Sequence, residues 1–190
     1  MISAILLTAG QSKRMDGENK LEKKIQGIPL IKHSVKNILA SFIDELIIVL
    51  GHQKEIIEKL IDKNEKIKFV FNKDYESGMA SSIKIGLNNL SEKTEAFFIC
   101  LGDMPMVNSD IYNQLIKSRN QKDIIVPTYK SQQGNPVLFD KSMKGKVIDI
   151  SGDVGAKKMI ADNEKKVFKL SIQDKAVITD FNNITDFESK

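Results

Sequence analysis

Cysteine is nearly absent from this chain, tryptophan is wholly absent, and no apolar run is long; each scarcity removes a class of function. A single thiol, Cys100, can neither close an internal disulfide nor build a cysteine cage around zinc, which agrees with a reducing compartment. It lies inside the apolar run Ala96 to Leu101 with no histidine paired beside it, so it reads as a buried, inert thiol and not a nucleophile. Aromatic residues make up 6% of the 190 residues, too few to interleave a basic face as nucleic-acid binding usually requires. No window reaches the 18 or so apolar residues of a membrane span. The first apolar run is short and leads into a polar loop instead of a small-residue cleavage site, so no signal peptide is expected. The expectation is a cytoplasmic protein with neither membrane nor nucleic acid as partner.

What is present suits one globular domain over residues 1–190, with 41% hydrophobic and 28% charged residues. The formal charge of +4 has a location. Residues 1–36 hold seven Lys or Arg against three Asp or Glu, and the remainder balances. A local excess of this kind suits a small anionic ligand.

Apolar runs at Ile2 to Leu7, Leu46 to Leu50, Ile67 to Phe71, Ala96 to Leu101 and Ile124 to Pro127 are strand-sized. Their near-continuous apolarity marks strands covered on both faces. Between them Leu30 to Phe42, Glu55 to Ile61, Ala80 to Leu90 and Ile111 to Lys117 carry apolar residues three or four apart, the period of amphipathic helices. This β-α-β rhythm predicts a three-layer α/β/α fold around a mostly parallel sheet. From Thr128 the rhythm changes. Gln132 to Pro136 predicts a turn into a short strand, Val137 to Phe139, that pairs antiparallel; Gly152 to Asp162 predicts a helix, and Val167 to Leu170 and Ala176 to Ile178 final strands.

Ligands of such sheets bind beyond the carboxyl ends of the strands, and the unusual loops fall there. After the first strand come Thr8-Ala9-Gly10-Gln11-Ser12-Lys13-Arg14-Met15 and then Lys20. Ala9-Gly10 lets backbone approach a ligand closely, and Ser12, Lys13, Arg14 and Lys20 supply the donors a triphosphate needs, arginine as a fork and lysine as a point charge. The loop is neither of the two common glycine-rich nucleotide motifs, since it has no G-x-x-x-x-G-K-[ST] and no G-x-G-x-x-G. After the fourth strand comes Leu101-Gly102-Asp103-Met104-Pro105, in which Asp103 is a candidate ligand for Mg2+, an ion that takes one or two carboxylates beside substrate phosphates and waters. A second ligand is sought in Thr179 to Asp186, where Asp180 and Asn182 are the alternatives. Glu76-Ser77-Gly78-Met79-Ala80-Ser81-Ser82 opens a helix with free N–H groups and hydroxyls that can read a base edge or hold an anion. Asn108-Ser109-Asp110 offers cap candidates for the helix that follows Asp103, which leaves Asp103 for other work. His33 and His52 are assigned structural roles.

The ordered set of these segments resembles the molybdenum cofactor nucleotidyltransferase group, nearer its cytidylyltransferase than its guanylyltransferase branch. The matching pieces are Leu7 to Met15 with Asn19-Lys20-Leu21, Ser77 to Ser82, Gly102 to Pro105, Gly134-Asn135-Pro136-Val137-Leu138-Phe139 and Gly152-Asp153-Val154-Gly155-Ala156. The resemblance implies the Rossmann-like nucleotidyltransferase fold of the nucleotide-diphospho-sugar transferases. It also implies Mg2+-dependent transfer of CMP from CTP to molybdopterin-bound molybdenum, with a molybdoenzyme as eventual client. It assigns Leu7, Ala9, Gly10, Ser12, Ser81 and Ser82 to the nucleotide, Arg14 and Lys20 to the triphosphate, and Asp103 with Asp180 or Asn182 to the metal. Gly134, Asn135, Pro136, Gly152, Asp153 and Gly155 are assigned to the pterin acceptor. Three departures from the group's pattern stand out: Asp16 to Asn19 is one residue longer, Lys157 stands for an arginine, and Asn182 stands where a second acid is expected. Two other readings remain, a transferase of the same fold using GTP or another nucleotide or a sugar or alcohol phosphate acceptor, and a non-catalytic carrier of the cofactor.

Overall fold

The computed structural model describes residues 1–11, 19–149 and 156–182. Strand β1 (Ile2–Leu7) is followed by a small antiparallel hairpin, β2 (Lys24–Ile25) with β3 (Ile28–Pro29), which hands the chain to helix α1 (Leu30–Leu39). Then come β4 (Glu45–Leu50), α2 (Lys54–Leu60), β5 (Ile67–Phe71), α3 (Met79–Asn88), β6 (Ala96–Leu101), α4 (Ser109–Lys117) and β7 (Ile124–Tyr129). The last part holds β8 (Gln132–Gln133), β9 (Val137–Asp140), α5 (Lys144–Ile148), α6 (Lys157–Asp162) and β10 (Val167–Ser171).

The main sheet runs β10-β7-β9-β6-β1-β4-β5, with β8 folded back on β7. All its long neighbours are parallel except β9, which lies antiparallel between β6 and β7. Alternation along each strand feeds two cores. Ala4, Leu6, Leu46, Ile48 and Phe98 face α1, α2 and α4, whereas Ile5, Ile47, Val49, Phe97 and Ile99 face α3 and α5. Burial on both faces is why these strands read as unbroken apolar runs. The expected three-layer α/β architecture is therefore present.

Three expectations are corrected. Strand β5 is not covered on both faces, because it is the last strand of the sheet and leaves Lys68 and Phe71 exposed. Ala176 to Ile178 is a 3-10 turn, Lys175–Ile178, and not a strand, because the Asp174 carboxylate accepts from the Ala176 N–H (2.8 Å) and winds the segment before it can extend. The first helix stops at Leu39 rather than Phe42, since Ser41 bonds back to the Ile38 carbonyl and the Phe42 N–H goes to Asn113 Oδ1 (2.8 Å). Of the helix expected over Gly152 to Asp162, the part Lys157–Asp162 is present, and residues 152–155 lie outside the described residues. Conversely, the β7-β8 hairpin forms without a glycine at its tip, where Lys130 and Ser131 take φ of 48° and 69°, the hand that matches the twist of the strands.

Candidate functional site

A cleft of about 530 Å³ opens at the carboxyl ends of β1 and β6. Its floor is the turn after β1, where the Thr8 N–H and hydroxyl both bond to the Val49 carbonyl (3.1 and 2.8 Å). The His52 N–H bonds to the Ala9 carbonyl (3.4 Å), which fixes the backbone at Ala9 and Gly10. On one side stand Tyr75, Glu76, Gly78, Met79 and Ser82, from the start of α3 and the turn before it. Gly78 has φ +106°, a conformation costly for any other residue, and it turns the chain into the helix.

On the other side four polar side chains are linked in series. Lys20 Nζ bonds to Asp103 Oδ2 (2.5 Å) and Asn182 Oδ1 (2.9 Å), and Asn182 Nδ2 bonds to Asp180 Oδ2 (2.6 Å). Each member is held by its own element. Asn19, itself buried, accepts from the Leu21 N–H (3.0 Å) and caps the 3-10 turn Lys20–Glu22, whose Leu21 is pinned in the core. The loop that bears Asp103 is tied to α1, with Ser34 Oγ donating to the Gly102 carbonyl (3.0 Å) and Asn37 Nδ2 to the Pro105 carbonyl (2.9 Å). The segment bearing Asp180 and Asn182 is anchored by the buried ring of Phe181, whose N–H donates to the Asp103 carbonyl (2.9 Å). Residues 83 and 79 positions apart in sequence are thereby brought to one point by the bonds that Lys20 donates to Asp103 and Asn182 and by three separate anchors.

Among the described residues lining the cleft, Lys20 is the one cation and faces three carboxylates, those of Glu76, Asp103 and Asp180. The charge of the described lining is therefore net negative, which a divalent cation would offset. The oxygen donors of Asp103, Asp180 and Asn182 are the hard kind that Mg2+ or Mn2+ takes, and an ammonium already bridges two of them. The residues thus fit a divalent ion that shares its ligands with a substrate phosphate.

Leu7, Ala9, Gly10, Lys20, Ser82, Asp103, Asp180 and Asn182 all line this one cleft. Ser81 does not line it: its hydroxyl is turned to the Asp74 and Gly78 carbonyls (2.9 and 2.8 Å). Gly134, Asn135 and Pro136, joined through a cis Asn135-Pro136 peptide, lie away from the lining. They pack under the Lys175–Ile178 turn, with the Asn135 N–H donating to the Val177 carbonyl (2.8 Å). Ser12, Lys13, Arg14, Met15, Gly152, Asp153, Gly155 and Asn183 lie outside the described residues. His33 Nε2 sits 3.1 Å from the Ile25 carbonyl and His52 leans on Tyr75, structural roles both. Burial pushes the Cys100 thiol up to about 12, partly opposed by a hydrogen bond with Tyr112, so it stays protonated. Tyr75 lines the cleft without any motif to announce it, while Thr8 and Asn19 stand in the motifs without a role, Thr8 lining the cleft and Asn19 capping the turn that bears Lys20.

Residues 4–167 match the MobA-like NTP transferase domain family. The chain belongs to that family. It is 30% identical over 135 residues to a probable molybdenum cofactor guanylyltransferase of Methanosarcina acetivorans, an alignment covering 69% of this chain but 59% of that protein. It is 25% identical over 186 residues to the molybdenum cofactor cytidylyltransferase of Escherichia coli, covering 98% of this chain and 93% of that enzyme. Among solved structures, Rv0371c from Mycobacterium tuberculosis superposes with a TM-score of 0.88 at 21% identity, covering 99% and 96% of the two chains. The same protein complexed with manganese gives 0.77 at 19% identity over 90% and 88%. The nucleotidyltransferase family and the nucleotide-diphospho-sugar transferase fold expected from the motifs are thus both found.

Proposed function

We propose that this chain transfers CMP from CTP to the terminal phosphate of molybdopterin-bound molybdenum with release of pyrophosphate, in a cytoplasmic, Mg2+-dependent reaction that serves a molybdoenzyme. The observation that carries the reading is the linked set Lys20, Asp103, Asn182 and Asp180 at one end of a cleft whose other end is the start of α3. A phosphate oxygen of the acceptor attacks the α-phosphorus, the bond from that phosphorus to the bridging oxygen breaks, and the pair of electrons leaves on pyrophosphate. No protein nucleophile is needed, which agrees with a cleft that offers none of the Ser-His or Cys-His arrangements among its described residues.

The protein's part is in-line placement and neutralisation of developing charge. Lys20 is placed to move from Asp103 to a phosphate oxygen, and Asp103, Asp180 and Asn182 would hold the divalent ion, which supplies charge stabilisation at the phosphates when bound. The manganese complex of Rv0371c supports a divalent ion in this reading. Ser12 and Arg14 at the triphosphate, and Gly152, Asp153 and Gly155 at the acceptor, belong to this reading on the resemblance alone. Gly134, Asn135 and Pro136 are kept on the acceptor side, with their contact to Val177 as a second duty.

The cytidylyltransferase match from end to end supports CTP. The higher identity to a guanylyltransferase supports GTP as the second reading. A carrier is disfavoured because it has no use for two carboxylates and a lysine converging where a metal and a triphosphate would meet. The test is pyrophosphate release with Mg2+ and CTP, GTP, ATP or UTP, with and without molybdenum-loaded molybdopterin. Release with CTP only when the pterin is present is the expected outcome. Release with GTP moves the base, and tight nucleotide binding without release favours a different acceptor or the carrier.

A further inference from the structure

Asn72 is fully buried just past β5, and its side chain bonds to the start of α3 and to the turn before it. Its Oδ1 accepts from the Asp74 N–H (3.0 Å). A backbone amide can only donate, so the orientation of the carboxamide follows from chemistry: Nδ2 must face the two serines. It donates to Ser81 Oγ (2.8 Å) and Ser82 Oγ (3.0 Å). The Ser81 proton is spent on the Asp74 or Gly78 carbonyl. Ser82 differs. Its hydroxyl is the acceptor of the Asn72 bond, its own proton has no acceptor among the described residues, and it lines the cleft although it is 5% exposed.

A buried hydroxyl that already accepts from the protein can offer its proton to a ligand at little reorganisation cost. The neighbours decide which part of the ligand. Leu7 and Met79, which line the same cleft, pack against the core on the α3 side of the sheet, whereas the charged set lies at the other end. A neutral donor between apolar side chains suits a nucleobase edge and not a phosphate. We infer that Asn72 is a positioning residue that fixes Ser82 as a hydrogen-bond donor to a carbonyl oxygen or ring nitrogen of the nucleobase. This rests on the nucleotidyltransferase reading.

Three variants test it against two probes, CTP and inorganic tripolyphosphate, which lacks a base. Asn72→Asp keeps the shape and the bond from Asp74 N–H but presents an acceptor to Ser82, which turns the Ser82 proton away from the cleft. Ser82→Ala removes the donor outright. Each raises the Kd for CTP by about tenfold, the loss of one buried hydrogen bond, and raises KM for CTP more than it lowers kcat. Neither moves the Kd for tripolyphosphate by more than about twofold on the same scale. Combining the two changes weakens CTP no further than Ser82→Ala does alone, because the first acts through the second.

Unchanged CTP affinity in Ser82→Ala, an equal loss for tripolyphosphate, or additive losses in the double variant each overturn the inference. If thermal denaturation shows Asn72→Asp unfolded, Asn72→Ala takes its place, with the same rise for CTP expected and unchanged affinity overturning the assignment. Failure of the nucleotidyltransferase reading looks different: the unaltered chain would bind none of the four nucleoside triphosphates and release no pyrophosphate.

Discussion

Two lysine–aspartate pairs of this molecule close at the same 2.5 Å, at opposite ends of the sheet. Lys20 meets Asp103 beyond the carboxyl ends of the strands, and Lys166 meets Asp123 at the amino ends of β10 and β7. Distance does not separate them; surroundings do. The first pair is 19% and 15% exposed and continues through Asn182 to Asp180, while the second is 43% and 38% exposed. A shielded pair keeps its electrostatic strength, whereas an exposed one is screened by water and salt and contributes about 0–1 kcal/mol. The groove beside the second pair, lined by Glu95, Arg119, Lys122, Asp123, Asp140 and Lys141, mixes both signs on a solvated rim. One end of the sheet holds its charges largely apart from water; the other leaves them to solvent.

The largest effect that would break this contrast is on turnover. Asp103→Asn, which keeps the shape and removes the charge, lowers pyrophosphate release by about 10²-fold or more, the usual consequence of losing a group that stabilises charge at a phosphoryl centre. Asp123→Asn changes it by less than about twofold on the same scale. Parallel steady-state assays decide the matter, and equal losses from the two changes would mean that the ends of the sheet are not functionally distinct.

The next effect concerns how the charged set is held. A Cβ on Gly134 would run into the carbonyl of Val177, and that segment leads directly to Asp180, Phe181 and Asn182. Gly134→Ala is expected to cost about 1–3 kcal/mol in stability, the usual penalty of overpacking, and to lower turnover with it. Gly145 in α5, where an added Cβ meets nothing within 4 Å, gains up to about 1 kcal/mol on the same change through helix propensity. Thermal denaturation measures both. A Gly134→Ala protein of unchanged Tm whose KM for the acceptor alone rises would return this glycine to the acceptor contact that the resemblance assigned to it.

The same contrast shows what could be read in advance. Strands β1, β4, β6 and β7 were legible because burial on both faces writes a nearly unbroken apolar run, whereas β5, an edge strand with Lys68 and Phe71 exposed, was legible from its length and its apolar residues alone. The loops after β1 and β6 were legible because glycine, lysine and aspartate at strand ends have few structural uses. Ala176 to Ile178 misled for the opposite reason: three apolar residues are too few to fix a period, and one carboxylate at Asp174 outweighed them. The choice between Asp180 and Asn182 was posed as one or the other, yet both line the cleft, one bonded to the other, which only the long-range fold could reveal. Asn72 went unremarked because a polar residue just past a strand looks like any loop residue until its burial is known.

The smallest effect is the sharpest check on the comparison. Lys166→Met removes a contact as short as the one at the cleft, and geometry alone would rank the two alike. Screening predicts otherwise: the change costs less than about 1 kcal/mol at low ionic strength, as for other exposed pairs. The difference from the unaltered chain then shrinks toward zero as salt approaches about 1 M, where the screening length is about 3 Å. Denaturant unfolding at the two salt concentrations measures it, with pyrophosphate release unchanged throughout. A cost above about 2 kcal/mol that persists in high salt would exceed what exposed pairs supply, and would show that exposure does not separate the two ends of the sheet.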